Sequence, residues 1–209
     1  MRFDRCKKLF KKFEDLQKLN VLICGVGGVG GYTLDCLYRS GVKNITIIDY
    51  DTFDKTNQNR QIGSEFVGKK KVEVLASLYK GVTPIDLKLS KDNISSLHLD
   101  KYDIIIDAID EIEVKIELIK ASYPKIISSM GAAKRVDPTK IRIDSIWNTN
   151  TDPFAKKIRD RLKKENFKKD FRVVYSTEKP IKCEMGSFVG VTGAFGFAIC
   201  YEVLKEFVN

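Results

Sequence analysis

Val21-Leu22-Ile23-Cys24-Gly25-Val26-Gly27-Gly28-Val29-Gly30 is an apolar run that passes directly into GxGGxG, after which Gly31 to Ser40 carries Leu34, Leu37 and Tyr38 at helical spacing. A strand followed at once by glycines and a helix permits a tight turn. It also lets backbone N–H groups approach a phosphate at the helix N-terminus. Working outward, Asn20 to Cys24, Ile45 to Asp49, Ile104 to Ala108 and Ile126 to Ser129 are nearly continuous Val, Ile and Leu, as expected of strands covered on both faces. Helical patterns separate them at Gly31 to Ser40, Lys71 to Tyr79 and Glu113 to Ser122. The alternation predicts an α/β chain with a Rossmann-like, doubly wound, mainly parallel sheet.

After Ser129 the pattern changes to a mixed C-terminal extension. Lys140 to Trp147 (KIRIDSIW) alternates like a half-exposed strand, and Arg172 to Ser176 (RVVYS) forms another. Between them Asp152 is placed to cap a helix with Pro153 at its first position, and Phe154, Ile158 and Leu162 repeat every four residues among Lys and Arg. One domain over 1–209 is expected, with a nucleotide-binding core over 1–130 and a substrate-side extension with a final helix over 131–209. The longest apolar run, Phe188 to Ile199, is glycine-broken and shorter than the roughly 20 residues of a spanning helix, so no membrane span is expected.

With 209 residues, 43% hydrophobic and 31% charged, the chain can bury a core and is not of disordered composition. The formal net charge is +9, and Thr151 to Arg172 alone holds nine Lys or Arg against four Asp or Glu, about +5. Such a stretch is either a solvated helix face or a nucleic-acid contact. Cys6, Cys24, Cys36, Cys183 and Cys200 lie far apart without a CxxC pair, which argues against a disulfide framework and a structural zinc. Met1 to Phe13 has six basic residues but no apolar stretch of signal-peptide length, giving a cytoplasmic expectation.

The second strand ends in Asp49, about twenty residues past the glycines, where a carboxylate can accept from ribose hydroxyls. Loop and Asp49 alone fit a dinucleotide-dependent dehydrogenase equally well. Asp51, Asn57, Arg60 and Gln61 follow, and then Lys71 in Gly68-Lys69-Lys70-Lys71. An Arg and a Lys returning toward a phosphate loop suit a departing pyrophosphate and have no role in hydride transfer. Asp107-Ala108-Ile109-Asp110 ends the fourth strand, where carboxylates can hold Mg²⁺ against phosphate oxygens. Asp107 is equally placed to cap a helix.

Strand-GxGGxG-helix, Asp49-x-Asp51, Asn57-x-x-Arg60-Gln61, Gly68-x-x-Lys71 and Asp107-x-x-Asp110, in this order, resemble the ubiquitin-activating superfamily that includes the ThiF/MoeB-like adenylyltransferases of sulfur-carrier proteins. The resemblance implies ATP with Mg²⁺ as cofactors. It implies Gly25, Gly27, Gly28 and Gly30 at the phosphates, Asp49 on the ribose, Asn57, Arg60 and Lys71 on the phosphates, and Asp110 on the metal. Asp51 and Gln61 join the nucleotide set. It further implies a homodimer in which an N-terminal Arg, matched here by Arg5, reaches the partner's ATP. The paired CxxC zinc motifs of many relatives are absent, and the usual Asn after the last Asp is Glu111. Ser128-Ser129-Met130-Gly131-Ala132, Asp137-Pro138-Thr139-Lys140-Ile141, Thr151-Asp152-Pro153 and Ser176-Thr177-Glu178 are similar to the tRNA threonylcarbamoyladenosine dehydratase branch. That branch implies ATP-dependent cyclisation of the modified adenosine in tRNA through adenylylation of its carboxylate.

With tRNA as the implied partner, Lys156, Lys157, Arg159, Arg161, Lys163 and Lys164 become candidates to neutralise RNA phosphates. Arg60, Lys71 and Asp110 are the expected catalytic residues. In the wider family a cysteine in the C-terminal half captures the acyl group, and Cys183 is either that nucleophile or a semi-buried cysteine. His98 is expected at the surface without a catalytic part. The alternatives are an adenylyltransferase of a sulfur-carrier protein, which leaves a sulfur-transfer partner open, a non-catalytic nucleotide or tRNA binder, and an oxidoreductase.

Overall fold

The computed structural model describes residues 2–208. Side chains alternate across β1 (Asn20–Cys24), sending Val21 and Ile23 to one apolar core and Leu22 and Cys24 to another on the opposite face. β2 (Asn44–Asp49), β4 (Ile104–Asp107), β5 (Ile126–Ser129) and β7 (Arg172–Ser176) feed both cores in the same way. With β3 (Thr83–Asp86) and β6 (Ile141–Ser145) they form one seven-stranded sheet of order β3-β2-β1-β4-β5-β7-β6. All pairs are parallel except β6 with β7. The chain is therefore α/β, Rossmann-like and mainly parallel, as expected. Sequence patterning overlooks β3 because its segment, Thr83-Pro84-Ile85-Asp86, is short and half polar, and its proline is tolerated only because β3 is an edge strand.

One face of the sheet packs α2 (Phe13–Lys18), α3 (Gly30–Ser40), α4 (Lys71–Leu78) and α7 (Val189–Leu204), and the other packs α5 (Ile112–Ser122) and α6 (Pro153–Lys164). A short α1 (Asp4–Lys7) lies at the far end of α3, where the Cys6 thiol reaches the Arg39 carbonyl. α3 stops at Gly41, whose left-handed backbone (φ 110°) turns its N–H onto the Leu37 and Tyr38 carbonyls. α6 begins as its sequence dictates, with Asp152 accepting from the Phe154 and Ala155 N–H groups.

α3 and α7 approach closely because Gly196 has no side chain: a Cβ there would sit 2.7 Å from the Val29 carbonyl oxygen. The two helices also carry a correction to the cysteine expectation. Cys36 and Cys200, 164 residues apart, form a disulfide. Only the packing of α3 on α7 brings them together, so spacing along the chain carries no trace of it. His98 is exposed, as expected. Among the described residues no helix is long and apolar enough to cross a membrane.

Candidate active site

β1 lies where strand order reverses, between β2 and β4, so its C-terminal end opens into the crevice at which open α/β sheets bind ligands. Gly25 leaves the strand at φ 86°, and a Cβ there would lie 2.8 Å from the Ala108 carbonyl. Gly30 faces the Gly25 carbonyl so closely that a Cβ would collide with it. The loop is thus folded back against itself and against the end of β4, with α3 starting behind it. Asp49, at the end of β2, accepts from the Val26 N–H at 2.8 Å and the Asp51 N–H at 2.9 Å. It braces the loop, and a carboxylate with two oxygens retains lone pairs for hydroxyls in the crevice.

A cavity of about 530 Å³ occupies this crevice. Gly25, Gly27 and Gly28 line it, as do Asp49 and Asp51, then Asn57, Arg60 and Gln61, and finally Lys71 and Asp110. Gly30 stands behind the loop rather than in the cavity. Lys71 is buried, with its Nζ 2.9 Å from Asp51. Arg60 donates to the Thr56 carbonyl and the Asn59 side chain, both at 2.8 Å. Asn57 accepts from the Asp54 N–H with its side-chain Oδ1. Gln61 carries a buried Oε1 without a hydrogen-bond partner.

Leu87 and Leu89, beyond β3, bound one end of the cavity; Ser129, the last residue of β5, and Met130 to Ala133 beyond it bound the other. Five strand ends lie between, and four spacings of about 4.8 Å separate the two ends by about 19 Å. Asp107 is neither a helix cap nor a cavity residue. It is fully buried and bonded to Lys115 (2.7 Å) and Ser128 (2.5 Å). Lys115, equally buried, also donates to the Ser129 carbonyl at 3.0 Å and lies 5.8 Å from the centre of the Phe154 ring. Burial pushes its ammonium pKa down while Asp107 opposes that shift. Cys24, next to Asp107, is pushed far up by burial and is chemically inert.

At the same end Arg135, 3% exposed, donates to the carbonyls of Gly131, Ala133 and Glu178. Its Nη2 lies 3.5 Å from Asp152, which also accepts from the Gly131 N–H at 3.2 Å. Lys115, Arg135 and Thr192, which lines the cavity over Gly28, escaped the sequence reading. Buried cations have no short-range signature, and Asp152 was recognisable only as a cap.

Other expected residues lie outside the cavity. Cys183 is exposed on the segment between β7 and α7; its neighbours Met185 and Ser187 line the cavity, and it does not. Arg5 is exposed on α1, at the end of α3 remote from the phosphate loop, about 15 Å by the length of that helix. On α6, Lys156, Lys157, Lys163 and Lys164 are exposed. Arg159 is bonded to the Thr149 hydroxyl, and Arg161 to Glu113 (2.7 Å) and Glu165 (2.8 Å). Those carboxyls are held below the ordinary range, Glu113 first by Lys91 and Glu165 first by Lys120. Four of the six basic side chains thus face solvent uncommitted to such bonds.

Among the described residues no group of three or more His, Cys, Asp or Glu is placed to hold a metal ion. Asp110 stands exposed on the cavity beside Glu111. One or two carboxylates completed by substrate phosphates are what Mg²⁺ uses, in contrast to an all-protein cage, so these residues fit that ion.

The ThiF family model matches residues 7–208. A tRNA threonylcarbamoyladenosine dehydratase of Bacillus subtilis is 39% identical over 179 residues, covering 80% of this chain and 70% of that protein. One of Escherichia coli is 30% identical, over 96% of this chain and 89% of that protein. A crystal structure of the Escherichia coli tRNA N6-threonylcarbamoyladenosine dehydratase in complex with ATP superposes with a TM-score of 0.92, covering 99% and 93% of the two chains.

Proposed function

Since this chain belongs to the ThiF family, we propose that it is an ATP-dependent tRNA threonylcarbamoyladenosine dehydratase, which closes the threonylcarbamoyl group of a tRNA adenosine into a ring. One observation carries this. A single cavity joins the phosphate loop to the Ser129–Ala133 wall, and that wall is bonded through Asp152 to the first turn of the basic helix α6. Nucleotide, acyl group and RNA therefore have contiguous places. The sulfur-carrier alternative would not use the exposed lysines of α6, and the dehydratases match this chain over 80% and 96% of its length.

The chemical problem is a carboxylate, a poor electrophile. Attack of its oxygen on the α-phosphorus of ATP breaks the bond to pyrophosphate and leaves an acyl-adenylate, which has AMP as a good leaving group. A nucleophile elsewhere in the same threonylcarbamoyl group then closes the ring, releasing AMP; proximity is built into the substrate. The net change is loss of one water from the tRNA and cleavage of ATP to AMP and pyrophosphate. Arg60, Lys71 and the amides of the glycine loop are preorganised for the charge that develops on the phosphates, each such donor being worth about 10²–10³ in rate. Lys71 is held by Asp51 and released to phosphate oxygens when nucleotide enters. Mg²⁺, when bound, would be held by Asp110 with the phosphates and would lower the charge on the leaving pyrophosphate. Cys183 is not required by an internal cyclisation.

A homodimer is part of this reading: Arg5, remote from the cavity of its own chain, would reach a nucleotide only across to a second copy. Exposed Phe197 and Tyr201 on α7, with Tyr32 packed edge-on to Phe197, offer an apolar face for it. A tRNA substrate is compatible with a cytoplasmic site of action. The decisive experiment is incubation with ATP, Mg²⁺ and tRNA bearing threonylcarbamoyladenosine. Nucleoside mass analysis should show loss of one water, with AMP formed. Unchanged tRNA together with pyrophosphate exchange that depends on a small carrier protein would favour the adenylyltransferase instead.

A further inference from the structure

Arg135 is a buried cation with no part in the chemistry above. Its guanidinium sits among backbone carbonyls: Nη1 serves Gly131 and Ala133, and Nε serves Glu178, just past β7, at 3.2 Å. Among the described residues its ion-pair partner is Asp152. Asp152 is buried as well, and its remaining bonds run to the Gly131 N–H on one side and to the first two N–H groups of α6 on the other. A guanidinium is a rigid planar fork whose donors fix direction as well as distance. Two carbonyls of the wall are therefore aimed at one group, and Ala132 between them cannot swing. Nor has the wall room to slip sideways, since a Cβ on Gly131 would already lie 3.1 Å from Phe154 and 3.2 Å from Asp152. Its Nη2 makes no hydrogen bond and faces the Asp152 carboxylate at 3.5 Å.

We propose that Arg135 is a positioning residue of the reaction: it locks the 131–133 wall and the first turn of α6 into one piece, so that RNA seated on α6 delivers its carboxylate to a fixed place opposite the nucleotide's α-phosphate. The proposal rests on the dehydratase function above and adds to it the element that registers RNA against nucleotide.

The test compares wild-type enzyme with Arg135→Lys and Arg135→Met. The readouts are kcat on threonylcarbamoyladenosine-bearing tRNA, KM for ATP, and amide hydrogen exchange over 131–135 in the free protein. Arg135→Lys keeps a cation but loses the fork, and should lower kcat about 10²-fold, the scale of an ångström of misplacement. KM for ATP should stay within about twofold, because the nucleotide end shares none of these bonds. Exchange should quicken across the wall alone, and Arg135→Met should be worse on each count, so that Lys rescues part of the loss. Unchanged kcat and exchange in Arg135→Lys would overturn the proposal, as would a loss of ATP affinity in step with kcat. If Arg135→Met does not fold, Arg135→Lys still decides. If wild-type enzyme makes no cyclic product, it is the substrate assignment that fails, and wall exchange unaltered by Arg135→Lys would then remove the positioning role too.

Discussion

The two ends of the cavity are built by different means. At the phosphate end six consecutive residues, Gly25 to Gly30, make the cradle with their own backbone, and the braces come from Asp49 and Lys71, each at the end or start of a regular element. At the wall end nothing is contiguous. Asp107, Lys115 and Ser128 form one buried cluster and Arg135 joins Asp152 and the Glu178 carbonyl in a second, all from separate places in the chain. A phosphate can be gripped by N–H groups that any sequence supplies once the turn is right. An acyl group awaiting attack must be placed to within a fraction of an ångström, and rigidity of that kind comes from buried charges tied to one another and to the backbone.

The sharpest way to break the wall end is Lys115→Met, which strands Asp107 without its cation. A loss of about 3–5 kcal/mol in urea unfolding is expected, as for a buried pair cut at one partner. Asp107→Asn in the same chain should recover part of it. If the single change costs less than about 1 kcal/mol, the wall does not depend on buried charge. At the phosphate end Gly30→Ala drives a methyl into the Gly25 carbonyl, and a strain near 3 kcal/mol would weaken ATP binding about 10²-fold. Calorimetric titration reads this directly, and tRNA affinity should be unaffected.

How much of this the sequence exposes follows the same division. Glycines after a strand, an aspartate ending the next strand, and an Arg and Lys returning to the loop are local patterns; with the family resemblance, which added Asp51, Asn57 and Gln61, they pick out ten residues that line the cavity. The sheet was equally readable, apart from the half-polar edge strand β3, because parallel strands buried on both faces leave unbroken apolar runs. Lys115 and Arg135 were invisible for a physical reason. A lysine in a helix and an arginine in a loop are ordinarily solvated, and only tertiary packing removes these two from water. The Cys36–Cys200 disulfide was missed likewise, its partners being neighbours only across α3 and α7.

A third comparison separates α6 into its exposed and its committed charges. Reversing Lys156 and Lys157 together to Glu should flatten the dependence of log affinity for tRNA on log salt by about two. Arg161→Gln should change that slope much less, since its guanidinium already serves Glu113 and Glu165. Equal slopes for the two variants would mean that RNA breaks these pairs or does not lie on α6. The smallest effect is reserved for Cys183→Ser: with the thiol outside the cavity, cyclisation should proceed within about twofold of wild type. Loss of product with adenylylation intact would make Cys183 a nucleophile.

The place of β7 and α7 has a consequence for how the molecule is made. The phosphate loop is fully synthesised by residue 30, yet β7 fills the sheet only at 172–176, and α3 gains its covering helix only at 189–204. A ribosome-bound chain that has just finished the Rossmann-like half still has β5 as a bare edge and the outer face of α3 open to solvent. The nascent chain therefore depends on residues 172–204 to close a core begun at β1, and an interruption of translation near residue 150 would release a sticky sheet instead of a smaller enzyme.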